Sequence, residues 1–203
     1  MRHPRPSFGK VLAQFFTEVL NPFVLVAALL IFVAWLTDPS WGQTAVVAVF
    51  FISVVPLATS LVMVRLGKAT DKYIRHRTQR HTFYAITLGS ILVGAVLTFL
   101  LDTSIEARWM LVFAVGTLVT VMAINRWVKI SMHALMAALC AVVFSAGFAH
   151  LAALVLFLTV WAGVSWSRVF LSRHSLTEVL LGSGLGGIVG FAFLGVVGGL
   201  PSP

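Results

Sequence analysis

Acidic side chains are scarce here, and charge of either sign is uncommon: six Asp and Glu and fourteen Lys and Arg in 203 residues make 10% charged, against 60% hydrophobic. A soluble domain carries about 25% charge on its shell, so a soluble fold is excluded, whereas a bilayer solvates apolar surface directly. A single cysteine, Cys140, rules out an intrachain disulfide. The three aspartates, Asp38, Asp71 and Asp102, lie far apart. That excludes the closely spaced aspartates on which magnesium-dependent transferases of lipid phosphates rely. No polar stretch is long enough for a separate soluble domain.

What remains is a succession of apolar runs. With about 20 residues needed per crossing, spans are expected near 19–36, 44–66, 82–101, 107–125, 132–149, 151–166 and 177–199. The expected fold is an all-α, polytopic transmembrane helical bundle of about seven spans, six to eight being compatible, forming one domain over 1–203. Residues 1–18 form a basic tail and an interfacial helix: Phe8, Val11, Leu12, Phe15, Phe16 and Val19 recur at helical spacing. No small-residue cleavage site follows the first run, which predicts an uncleaved first helix. Gly182, Gly186 and Gly190 repeat every four residues in the last span, with Gly184 and Gly187 between them, and predict close helix packing.

Positive charge gathers in three short segments, Gly67 to His81, Arg126 to Lys129 and Arg168 to Arg173. Two expected crossings separate each from the next, so all three meet on one membrane face. The N-terminal tail, with Arg2, Arg5 and Lys10, falls on that face too, and short basic loops are retained inside. The net charge of +8 therefore points to anionic membrane lipids and not to nucleic acid.

Each basic segment also carries a pattern. Ser167-Arg168, five residues, His174, three residues and Glu178 place an imidazole and a carboxylate four apart, on one helix face, where the acid can accept from one ring nitrogen and leave the other to attack. Ser175 to Glu178 also reads as a capping box opening the last span. Lys129-Ile130-Ser131-Met132-His133 opens the fifth span. In the first segment, Arg77 and Arg80 are three apart and can present two planar forks to one phosphate.

Taken in order, these patterns resemble the three motifs of the PAP2 (type 2 phosphatidic acid phosphatase) family over residues 71–178. The third resembles SRX5HX3D with Glu178 in place of Asp. The second resembles PSGH without its proline and glycine. The first resembles KX6RP with Tyr73 for lysine and His81 for proline; a register from Lys68 to Arg75 is the alternative. The resemblance implies that His174 is the nucleophile, Glu178 orients it, and His133 protonates the leaving alcohol. It also implies that Arg168, Ser167, Arg77, Arg80 and Ser131 hold phosphate. The implied protein is a metal-independent hydrolase without cofactor, acting through a phosphohistidine on a phosphatidate or a prenyl or polyprenyl phosphate. The basic tail and loops, and not the resemblance, place its N-terminus and site on the cytoplasmic side of a membrane of bacterial or archaeal type, a departure from the outward placement common in that family. The missing lysine, proline and glycine leave a second implication, a scaffold that binds lipid phosphate without hydrolysing it. Nothing in the sequence sets the oligomeric state.

Overall fold

A computed structural model describes residues 7–74 and 79–201. The elements in order are α1 (Phe8–Val19), α2 (Pro22–Thr37), α3 (Trp41–Arg65), α4 (Arg80–Leu100), α5 (Ile105–Ile124), α6 (Met132–Phe148), α7 (Leu151–Phe170) and α8 (Leu176–Val197). No strand occurs among the described residues. The architecture is a helical bundle whose large apolar residues, such as Phe50, Leu100, Ile188 and Phe191, face outward as lipid contact requires.

Five helices are long and apolar enough to cross a membrane, and α1 and α2, bent by 51° at Leu20-Asn21, make a sixth if counted as one broken span. The remaining expected span, 132–149, is α6, whose 17 residues rise only about 25 Å. It is the buried centre of the bundle, packed by α2, α7 and α8.

Local chemistry sets most of the helix starts. Asn21 accepts from the N–H groups of Phe23 and Val24, with Pro22 in the first turn where a missing N–H costs nothing. Ser104, Ser131 and Ser175 cap α5, α6 and α8, and His150 Nδ1 caps α7 by accepting from Ala153 N–H at 3.3 Å. Inside α3 the residues Phe50–Val54 widen to a π-helix, and Val55 N–H reaches back to Phe50 O. In that register Pro56 would serve Phe51 O but has no N–H. The Ser90 hydroxyl donates to Phe51 O at 2.6 Å instead and ties α4 to α3.

The seventh helix runs to Phe170, four residues beyond the expected end of its span. Ser167 and Arg168 lie inside the helix because both polar groups find partners there, Ser167 donating to Val164 O at 2.7 Å and Arg168 to Thr17 Oγ1 at 3.3 Å. Against α6, the last helix packs backbone to backbone. A Cβ at Gly182 would stand 2.5 Å from Ser131 O, one at Gly186 would collide with Leu135 O, and one at Gly190 would meet Val142. Gly184 and Gly187 face open space. The four-residue repeat alone forms the seam.

Away from the basic segments, Asp38 is buried and accepts from Ser40 N–H, Thr44 Oγ1 and Ser104 N–H, which pins the α2–α3 turn to the α4–α5 turn.

Candidate functional site

The three basic segments converge. Lys129 Nζ donates to Arg173 O at 3.3 Å, Ser131 N–H donates to Glu178 O at 3.1 Å, and the Tyr73 ring meets the His133 ring edge to face with centroids 4.9 Å apart. They enclose a cavity of about 130 Å³ lined by Lys72, Tyr73, Lys129, His133, Arg168, Arg173 and His174, with Pro22, Phe23, Ile74, Phe83, Tyr84, Ile130 and Met132. At roughly 30 Å³ per water-sized group, it holds about four such groups, the scale of one phosphoryl head. Pro22, Phe23, Phe83, Tyr84 and Met132 also line a second cavity of about 150 Å³ running between α2, α3, α4, α5, α6 and α8. Its lining is almost wholly apolar, Thr87 and Thr117 being exceptions. A charged chamber thus adjoins a greasy one, with these five residues common to both linings.

Each side chain is placed by local structure. In the first segment Asp71 accepts from Tyr73 N–H at 2.8 Å, an Asx turn that presents Tyr73. In the second, Asn125 accepts from Ile130 N–H at 3.1 Å and donates to Tyr84 Oη at 3.0 Å, closing the turn that leads to Ser131 and His133. In the third, Ser172 adopts a left-handed φ of 53°, and the N–H groups of Arg173 and His174 both close on Arg168 O. That reversal brings His174 over the cavity next to Arg168.

His174 Nδ1 lies 2.7 Å from Glu178 Oε2. A carboxylate accepts, so Nδ1 carries the hydrogen and Nε2 keeps its lone pair. Burial, then the positive charges of Lys129 and Arg168, pull the His174 pKa down to about 4, the Glu178 bond opposing them. The ring is therefore neutral at neutral pH. The capping box is present as well: Ser175 Oγ accepts from Glu178 N–H at 3.2 Å, and Glu178 Oε2 accepts from Ser175 N–H at 3.3 Å. The two sequence readings of this segment coexist in one carboxylate.

His133 is buried, and its Nε2 stands 3.3 Å from Thr17 O. A carbonyl only accepts, so Nε2 bears a hydrogen and Nδ1 is left for a ligand. Arg168, only 4% exposed, is a buried cation that donates to Thr17 Oγ1 and lines the cavity with His133 and His174; a buried charge is a costly placement that is associated with function.

Of the residues expected from sequence, the structure brings together His133, Arg168, His174 and Glu178. Ser131 and Ser167 do not line the cavity: both are fully buried, Ser131 accepting from Ala134 N–H as a helix cap and Ser167 bonded to Thr17 and Val164. Arg80 is the first residue of α4, and Arg77 lies outside the described residues. Sequence reasoning assigned no role to Lys72, Lys129 or Arg173, which line the cavity, or to Thr17 and Glu18 of α1, which touch its walls. The signal for the lysines was their place beside the motif residues. None existed for Thr17, whose side chain looks like any helix-face threonine.

Among the described residues no three His, Cys, Asp or Glu side chains cluster as metal ligands would. No protein-family model, curated protein or solved structure matches this chain.

Proposed function

We propose that the chain is a membrane-embedded phosphatase of lipid phosphates that works through a phosphohistidine, as the resemblance to the PAP2 motifs implies. The observation that carries this reading is the adjacency of the two cavities: a cationic pocket lined by two histidines shares five lining residues with an apolar one. A phosphate ester of a hydrocarbon chain has that same division. Lys72, Lys129, Arg168 and Arg173 all line the pocket beside the two histidines, Lys72 also pairing with Glu18. An anionic ligand suits such a lining.

In this mechanism His174 Nε2 attacks phosphorus and the phosphorus–oxygen bond to the lipid breaks. The electron pair leaves with the lipid oxygen, which takes a proton from His133 Nδ1, the nitrogen not turned to Thr17. The step requires His133 to carry hydrogen on both ring nitrogens when substrate is bound, Nε2–H facing Thr17 O and Nδ1–H facing the leaving oxygen. Glu178 stabilises the charge that develops on His174, and Arg168 faces the phosphoryl oxygens. Water then attacks phosphorus, the phosphorus–nitrogen bond breaks, His133 recovers its proton, and inorganic phosphate is released. Seven spans with the site and the N-terminus on the cytoplasmic side complete the proposal, α6 being the short central span.

The test is phosphate release by the purified protein from phosphatidates and prenyl phosphates. Turnover by the unaltered protein, lost in His174→Ala with folding retained, is the expected result. Full activity in His174→Ala sinks the mechanism, and phosphate-tight binding without release by the unaltered protein selects the scaffold reading.

A further inference from the structure

Helix α1 ends 48 residues before the first basic segment, yet its last turn reaches three parts of the site. Thr17 O meets His133 Nε2 at 3.3 Å and Tyr73 Oη at 3.5 Å, and Thr17 Oγ1 stands 3.3 Å from Arg168 Nη1 and 3.2 Å from Ser167 Oγ. The side chain is 5% exposed. The direction of these bonds follows from counting hydrogens. Ser167 has one hydroxyl hydrogen and gives it to Val164 O at 2.7 Å. In the Thr17–Ser167 contact Thr17 is therefore the donor. With its hydrogen committed, Thr17 Oγ1 can only accept from Arg168. The chain runs one way, from guanidinium to Thr17 to Ser167 to Val164 O, and fixes the side to which the threonine lone pairs point.

We infer that Thr17 is a positioning residue for the phosphate pocket, holding the Arg168 guanidinium through Oγ1 while its carbonyl holds the His133 ring, so that α1 is a wall of the site. The helix is itself seated for this: Gly163 of α7 leaves the space that Phe16 fills, and Gly9 lies under Phe170. Its other face, with Phe8, Val11 and Phe15, is exposed for lipid. A side chain that locks a buried cation in one orientation reduces what a ligand must order on binding. The inference rests on the cavity being a phosphate site.

The probe is inorganic phosphate, with affinity measured by calorimetry on the full chain in detergent and ligand-free Tm recorded beside it. Thr17→Val keeps the branched shape and the carbonyl but removes Oγ1; it should weaken phosphate roughly tenfold, the scale of one hydrogen bond to a charged group. Thr17→Ser should bind within about twofold of the unaltered chain, since it keeps the oxygen. Should Thr17→Val not fold, Thr17→Ser and Ser167→Ala carry the test: Ser167→Ala frees the threonine hydrogen and should weaken phosphate about threefold, while Thr17→Ser does not. In an Arg168→Lys background Thr17→Val should add little, because its partner is already gone. Unchanged affinity in Thr17→Val and in Ser167→Ala, or losses that add fully to Arg168→Lys, overturn the inference alone. Failure of the unaltered chain to bind phosphate overturns the phosphate-site reading and this inference with it. Binding without hydrolysis removes the hydrolase reading and leaves Thr17 tested.

Discussion

Glu178 Oε2 lies 2.7 Å from His174 Nδ1, and the same oxygen accepts from the backbone N–H of Ser175 at 3.3 Å. Orienting an imidazole and closing a helix are thus one structural act, separable by mutation because the partners differ. Ser175→Ala removes the cap on Glu178 N–H and leaves the carboxylate on His174. It should lower stability by about 1 kcal/mol and spare turnover per folded molecule. Glu178→Gln keeps an acceptor for the cap but removes the negative charge facing the ring. It should cost roughly 10- to 100-fold in turnover with a small change in Tm. Glu178→Asp, which keeps the charge, should retain more activity than Glu178→Gln. Equal turnover losses in Ser175→Ala and Glu178→Gln would reduce Glu178 to a cap.

The pH dependence of His174 has a defined sign. Its pKa falls from an ordinary 6.5 to about 4 in the folded protein, through burial first and Lys129 second. Between those values the unfolded chain binds a proton that the folded one does not, so stability rises with pH through this window and falls on acidification. The slope is at most about 1.4 kcal/mol per pH unit from this group. For kcat/KM, the acid limb due to His174 should lie near 4. Lys129→Met removes a like charge and should move that limb toward 6.5. Histidine resonances titrated by NMR give the same answer without turnover. A His174 midpoint near 6.5 that ignores Lys129→Met contradicts the electrostatic account.

The seam between α6 and α8 gives a stability prediction that is independent of function. At Gly186 an added methyl meets the backbone of Leu135, which cannot swing aside, while Gly187 faces open space. Gly186→Ala should therefore destabilise by about 1 to 3 kcal/mol, and Gly187→Ala should lie within about 0.5 kcal/mol of the original. Thermal unfolding in detergent measures both. Similar Tm values for the two variants would refute the close approach.

Much of this architecture was legible because membrane physics writes it in long runs. Apolar stretches located the helices, the glycine repeat located their tightest contact, and the capping box at Ser175 marked the start of the last one. The end of α7 was not legible. Ser167 and Arg168 read as loop because their partner, Thr17, lies 150 residues away and has no signature of its own. The pair His174 and Glu178 was legible because it is local, four residues on one face. Ser131 is ambiguous for the same kind of reason: a serine before a helix serves equally as a cap or a ligand, and its buried hydroxyl accepts from Ala134 N–H. The break between α1 and α2 also hid a wall of the pocket inside what looks like an amphipathic anchor.

The membrane orientation is open to a direct test, and the structure determines where the probes belong. Thr103 would be a poor reporter for the face opposite the site, since it is 8% exposed and its hydroxyl donates to Thr98 O. Asp102, its neighbour, has a fully exposed side chain. On the site face Lys68 is exposed just beyond the end of α3. Cys140 is buried, so Cys140→Ala gives a thiol-free background with little change in packing volume. The tail with Arg2, Arg5 and Lys10 and the basic turns predict a cytoplasmic site. Phosphate-binding cations would make the turns basic on either side, but Arg2, Arg5 and Lys10 belong to none of the three motif segments, so their charge is independent of that argument. In intact cells an impermeant thiol reagent should label Asp102→Cys and not Lys68→Cys, with both labelled after permeabilisation. The reverse pattern puts the pocket on the outer face. The assignments of His174, His133 and Glu178 would survive that reversal, because they rest on geometry that is the same from either side of the bilayer.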